Sequence, residues 1–223
     1  MLAEIHKLLP DMPTLFAADT AAFPYGDLAP DDLIARVGNV MAALIAEFQP
    51  AVVVIACNTA STLVLPSLRA RFSVPFVGTV PAIKPAAAMT KSGLVSVLAT
   101  PGTVKRDYTA DLIRQFAAGK EVTLVGAPRL ASLAEAQMRT EHVSDTDIAA
   151  EIRPAFVEKE GRRTDTVVLA CTHYPLLVPR FERLAPWPVA WLDPAPAIAR
   201  RVRDVLPGGE AAIAHARHQA LLT

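Results

Sequence analysis

The sequence predicts an α/β protein of two similar lobes, with mostly parallel sheets flanked by helices and an active site in the cleft between them. Three observations carry that expectation. Short β-branched apolar runs alternate with longer amphipathic stretches, the βαβα rhythm of a parallel sheet with right-handed crossovers. Several of those runs are apolar throughout instead of alternating, as strands covered on both faces are. One strand ending also occurs twice: Val52-Val53-Val54-Ile55-Ala56-Cys57-Asn58-Thr59 is echoed by Thr166-Val167-Val168-Leu169-Ala170-Cys171-Thr172-His173.

Taken along the chain, the first strand is expected at residues 15–18, where Leu-Phe-Ala-Ala is followed by Asp19. A helix follows over 31–47, opened by Asp31 after Pro30. The apolar run 51–56 is the second strand, and Asn58 then starts a helix over 59–71. Strand 75–78 leads to helix 82–90, strand 94–99 to helix 104–117, and strand 122–126 to a sparse acidic helix after Pro128 and a longer one over 144–160. Strand 166–170, helix 175–184, strand 189–192 and helix 195–205 complete the series. The prolines sit mostly at the edges of these segments, where they end helices or open strands. The echo also continues downstream: the proline of Val80-Pro81-Ala82-Ile83 lies 24 residues after Cys57, and that of Ala195-Pro196-Ala197-Ile198 lies 25 after Cys171. The lobes are therefore expected at 1–90 with 196–223, and at 91–195. Each would carry a cysteine at the C-terminal end of a strand, where open α/β sheets bind ligands.

With 22 basic and 22 acidic residues the chain has no net field to favour a nucleic acid or an anionic membrane, so neither is an expected partner. Its longest clean apolar run, 51–57, is far too short to span a bilayer. Met1-Leu2-Ala3-Glu4 has no basic region, so no signal peptide is expected, and two cysteines without a disulfide framework point to the reducing cytoplasm.

Either cysteine alone reads as a small buried hydrophobe. As a matched pair before expected helix N-termini, where the dipole favours a thiolate, they point to chemistry. Two thiols on opposite sides of one carbon suit a racemisation: one thiolate removes a proton, and the opposite thiol returns one to the other face. This scheme needs no organic cofactor. The chain has no Gly-x-Gly-x-x-Gly run, phosphate loop or lysine motif for pyridoxal, and Cys171 with His173 lacks a second pair at metal-binding spacing.

Ala56-Cys57-Asn58-Thr59-Ala60-Ser61 and Ala170-Cys171-Thr172-His173-Tyr174-Pro175-Leu176-Leu177 resemble the two signature segments of glutamate racemase. Asp19-Thr20-Ala21-Ala22-Phe23-Pro24-Tyr25-Gly26 resembles the same family's segment ending in Pro-Tyr-Gly, and Pro75-Phe76-Val77-Gly78 and Thr100-Pro101-Gly102-Thr103 fall in the family order. The resemblance implies a cofactor-independent interconversion of L- and D-glutamate by Cys57 and Cys171, supplying the D-isomer for peptidoglycan, with a homodimer as a further expectation. Asn58, Thr59 and Thr172 would hold the substrate's polar groups, helped by Tyr25 and Gly26. His173 would assist Cys171 and contact substrate; a structural histidine is its other reading. Glu135, in Leu133-Ala134-Glu135-Ala136-Gln137, falls near the family's Leu-Val-Glu-x-Gly segment, and a solvated helix glutamate is its other reading. Tyr25 and Gly26 read equally as an ordinary turn. His215 and His218 read as surface residues of a C-terminal helix.

The family's opening strand and Asp-Ser-Gly-Val-Gly-Gly turn have no counterpart ahead of Met1-Leu2-Ala3-Glu4-Ile5, which reads as lying inside the first helix, so the first lobe is expected to be N-terminally incomplete. Two other readings stand beside a glutamate racemase: within the superfamily, a racemase of aspartate or another amino acid, and, motivated by that departure, a weakly active or silent binding protein.

Overall fold

The structure, a computed structural model, describes residues 1–206 and 218–222. In chain order it begins with α1 (Leu2–Leu8), β1 (Leu15–Ala18), α2 (Pro30–Phe48), β2 (Val53–Ile55), α3 (Asn58–Arg71), β3 (Phe76–Gly78) and α4 (Ile83–Met89). There follow β4 (Leu94–Ala99), α5 (Pro101–Val104), α6 (Asp107–Phe116), β5 (Glu121–Gly126), α7 (Leu130–Met138) and α8 (Asp145–Ile152). The chain continues through β6 (Glu158–Lys159), β7 (Arg162–Arg163), β8 (Thr166–Ala170), α9 (Val178–Leu184), β9 (Ala190–Leu192), α10 (Ala195–Val205) and β10 (Gln219–Leu222).

The α/β class holds: the main sheet is parallel throughout, in the order β5-β4-β8-β9. Its two middle strands, β4 and β8, are buried along their whole lengths, which is why their sequences run apolar on both faces. Helices α4 and α6 cover one face, around Ile83, Ala86 and Val97, and α7, α8 and α9 cover the other, around Leu130, Ile148 and Phe181. The register sets Ala99 beside Ala170, so Thr100 and Cys171 leave the sheet next to each other.

A second, smaller parallel pair, β2-β3, packs under α3. Gly78 permits that packing, because a Cβ there would lie 2.3 Å from Leu65 Cδ1. The end of the chain returns to its beginning: Ile5 of α1 packs with Ala199 and Val202 of α10, and β10 pairs in parallel with β1.

Some expectations change. The helix expected over 104–117 is broken into α5 and α6, because Arg106 is extended and the Thr103 carbonyl is taken by Thr109 Oγ1 at 2.8 Å. The helix expected over 144–160 stops at Ile152, where Pro154 enters a 3-10 turn. Its remainder forms the β6-β7 hairpin, turned by Glu160 and Gly161 at φ +52° and +73°. Residues 175–177 belong to a 3-10 turn ahead of α9. His218 is exposed but precedes a strand instead of lying on a helix, and its Nδ1 meets Thr14 Oγ1 at 3.0 Å; His215 lies outside the described residues. Among the described residues no helix is long and apolar enough to cross a membrane.

Asp165 ties the entrance of the main sheet together. Its carboxylate accepts from Thr90 Oγ1, Lys91 N and Ser92 N at 2.7 Å each, and from Thr166 Oγ1 at 3.0 Å. Burial opposes its charge, but these donors outweigh it and hold its pKa at about 2. A depressed carboxylate stabilises the fold above its unfolded pKa and loses that contribution as pH falls through the folded value. Asp165→Asn is expected to cost about 1–3 kcal/mol at neutral pH, discounted for partial exposure. Thermal melts should show Tm lower by roughly 3–9 °C, the gap to wild type narrowing between pH 4 and pH 2.

Candidate active site

The site is built where β2 and β8 end. Two residues beyond β2, Cys57 caps the N-terminus of α3 and accepts the Ala60 N–H at 3.5 Å. Cys171 follows β8 directly. The repeated sequence makes a repeated geometry: the Thr59 and Ala60 amides face the Cys57 sulfur, and those of His173 and Tyr174 face the Cys171 sulfur. In both cases the amides come from the second and third residues beyond the cysteine, a small anion-favouring nest.

Desolvation is the larger effect. Burial pushes the Cys57 thiol up against the pull of those amides and the Thr59 hydroxyl. Burial, aided by the charge of a Cys57 thiolate, pushes Cys171 up to about 12 against the pull of its two amides. The sequence expectation that helix starts favour both thiolates is therefore corrected. Cys171 leads only into the 3-10 turn Tyr174–Leu177, and at Cys57 burial outweighs the dipole. Burial therefore favours the neutral thiol at both positions.

The two cysteine segments meet. Thr172 Oγ1 donates to the Ala56 carbonyl at 3.0 Å, joining the residue after one cysteine to the residue before the other across 116 positions of sequence. This hydrogen bond brings the two cysteine segments side by side.

A polar relay runs outward from Cys171. Its Sγ lies 3.8 Å from His173 Nδ1, and His173 Nε2 lies 2.7 Å from Glu135 Oε1 on α7. A carboxylate only accepts, so the ring proton is assigned to Nε2 and the Nδ1 lone pair faces the thiol. Glu135 is thus a partner of His173 through α7 packing, not a lone solvated side chain. Arg139 Nη1 is 3.9 Å from its other oxygen.

Near Cys57, Tyr25 belongs to the same apolar cluster and donates its hydroxyl to Asp19 Oδ2 at 2.7 Å. Arg36 forks onto both oxygens of Asp19. Burial, then the Asp19 contact, raises the Tyr25 phenol far above its usual range, so it stays a donor. Gly26 lies against the start of α5: a Cβ on Gly102 would sit 3.3 Å from the Gly26 carbonyl and 3.3 Å from Thr59 Cγ2.

Asn58 is only 2% exposed, and among the described residues neither its Nδ2 nor its Oδ1 has a hydrogen-bond partner. Each buried unpaired polar group costs about 1–3 kcal/mol, a cost that a polar ligand removes. Thr59 is engaged differently: its hydroxyl lies 2.8 Å from Thr100 Oγ1 and 3.2 Å from Thr103 Oγ1, and those two are 3.1 Å apart.

Thr100 and Thr103 join the site without having been singled out as site residues. Their signal was a Thr-Pro-Gly-Thr start after an apolar strand, which doubles as a helix cap. Asp19 opens the segment that ends in Pro24-Tyr25-Gly26 but was not marked as a site residue, and Arg36 carried no signal beyond ordinary charge. Among the described residues no group of three His, Cys, Asp or Glu side chains is gathered as metal ligands would be.

Comparison with known proteins agrees over most of the chain. A family model described as Asp/Glu/Hydantoin racemase matches residues 1–202. A glutamate racemase of Brucella canis is 58% identical over 208 residues, which are 93% of this chain and 75% of that protein. The structure is similar to a crystal structure of Escherichia coli glutamate racemase in complex with L-glutamate and the activator UDP-MurNAc-ala. The TM-score is 0.90 at 40% identity, covering 99% of this chain and 83% of that one. A glutamate racemase from Thermus thermophilus, in complex with beta-chloro-D-alanine, gives 0.73 at 26% identity, over 99% and 80%.

Proposed function

The chain belongs to the Asp/Glu/hydantoin racemase family, and we propose that it interconverts L- and D-glutamate by acid/base catalysis between Cys57 and Cys171. The observation that carries the reading is the matched pair of sulfurs, each under two successive amides and joined through Thr172 and Ala56. The 58% identical glutamate racemase favours glutamate over aspartate or another amino acid as the substrate, and a catalyst over a silent binder.

In one direction the Cys171 thiol gives its proton to His173 Nδ1, and Glu135 stabilises the imidazolium through Nε2. The thiolate takes the α-proton, and the Cys57 thiol delivers its proton to the opposite face of the carbanion. The configuration is inverted, with Cys171 now a thiol, Cys57 a thiolate and His173 still carrying the proton it accepted. Solvent exchange restores the starting state, and the reverse reaction uses the thiols in opposite roles. The substrate ammonium between the sulfurs favours whichever is ionised and offsets the desolvation that favours the neutral thiols. Asn58, Thr59 and Thr172 are assigned to the substrate's polar groups, with Tyr25 and Gly26 closing the other end.

The reading takes 1–90 with 196–223 as one lobe and 91–195 as the other, closing on the substrate. It extends to a cytoplasmic homodimer supplying D-glutamate for peptidoglycan. Purified protein in deuterium oxide is expected to replace the α-hydrogen of glutamate with deuterium while optical rotation decays to zero. Faster loss of rotation with aspartate would move the substrate assignment; no α-exchange with any amino acid would end the racemase reading.

A further inference from the structure

The His173 ring is held at both nitrogens, Nε2 by Glu135 at 2.7 Å and Nδ1 toward Cys171 at 3.8 Å. Two contacts in the ring plane fix the direction of the imidazole. The soft motion left to the ring is rotation about its Cβ–Cγ bond, which swings both nitrogens out of line with their partners. The sulfur contact is long, so a small rotation breaks it.

Against this ring lies Phe23, with ring centroids 5.6 Å apart and planes at 54°. Phe23 is 42% exposed, so it is only partly covered by its contacts. It does not come from the elements that carry Cys171, His173 or Glu135. It precedes Pro24-Tyr25-Gly26, in a segment anchored by the Phe23 N–H on the Thr20 carbonyl at 3.2 Å and by Tyr25 on Asp19. That segment therefore reaches both sides of the site: Tyr25 lies in the apolar cluster of Cys57, and Phe23 lies on the base relay of Cys171.

We propose that Phe23 is a positioning residue for the Cys171 half-reaction, blocking rotation of the His173 ring away from Cys171. This rests on the glutamate racemase reading. Phe23 thus acts on proton transfer through the orientation of His173, without itself touching the reacting carbon.

The test compares wild type, Phe23→Ala and Phe23→Tyr with L- and D-glutamate, each isomer also carrying deuterium at the α-carbon. Enantiomers have an equilibrium constant of one, so kcat/KM must fall equally in both directions; the half-reaction is read from the isotope effects. Phe23→Ala is expected to lower kcat/KM by on the order of 10- to 100-fold, mainly through kcat, as a misplaced catalytic group does. The α-deuterium isotope effect should rise for the isomer whose hydrogen faces Cys171 and fall for the other. Phe23→Tyr, which keeps the ring, should restore both values to near wild type. Phe23→Ala within twofold of wild type, or slowed with no divergence between the two isotope effects, would overturn the proposal. A wild-type enzyme that fails to turn over glutamate would instead remove the racemase reading, and this inference with it.

Discussion

Cys57→Ser and Cys171→Ser are each expected to lower glutamate racemisation by on the order of 10²- to 10⁴-fold, the usual range for a lost general acid or base. Serine keeps the shape and the hydrogen-bonding hydroxyl, so the amides of Thr59 and Ala60, or of His173 and Tyr174, still find an acceptor. What is lost is acidity, because a thiol ionises near pH 8.5 in water and an alcohol far above it. The variants should also differ in kind. A protein with one working thiol removes a proton from one face and returns deuterium to that same face. Slow exchange without inversion is therefore expected, into one enantiomer for Cys57→Ser and into the opposite one for Cys171→Ser. Mass spectrometry of L- and D-glutamate incubated separately in deuterium oxide reads this directly. Both variants exchanging the same enantiomer would show that the thiols do not face opposite sides of the α-carbon.

The ends of β4, β8 and α10 were legible from sequence because burial on both faces, or one amphipathic stripe with a proline start, leaves a local record. The β6-β7 hairpin was not: Pro154 and Gly161 stand in a stretch whose charges also fit a helix. Nor was β10, whose strand character comes from pairing with Leu15–Ala18 at the far end of the chain. The site divides the same way. Cys57 and Cys171 announced themselves by repetition. The hydroxyl triangle of Thr59, Thr100 and Thr103 needs the ends of β2 and β4, strands of different sheets, to come together. Asp19 with Arg36, and Phe23 with His173, are contacts between elements that no spacing encodes. The raised thiols show the same limit, since helix starts are local while desolvation depends on everything packed around them.

Glu135→Gln is expected to reduce kcat about 10- to 100-fold and to move the rising limb of the pH–rate profile to higher pH. The glutamine carbonyl still accepts from His173 Nε2, so the ring keeps its orientation while losing the negative charge that stabilises the imidazolium. A less stable imidazolium makes His173 a weaker acceptor for the Cys171 proton. Cys171 starts from a thiol pushed up to about 12, so its ionisation depends on that help. The sign follows: with less help, more hydroxide is needed to reach the same thiolate fraction. His173→Asn removes the acceptor as well and should cost more than Glu135→Gln. The double variant should cost little beyond His173→Asn, because Glu135 acts only through the ring it touches at 2.7 Å. Rates for the two single variants and the double, measured across pH 6 to 10, test the relay. Additive losses in the double variant would mean that Glu135 reaches the substrate by a route of its own.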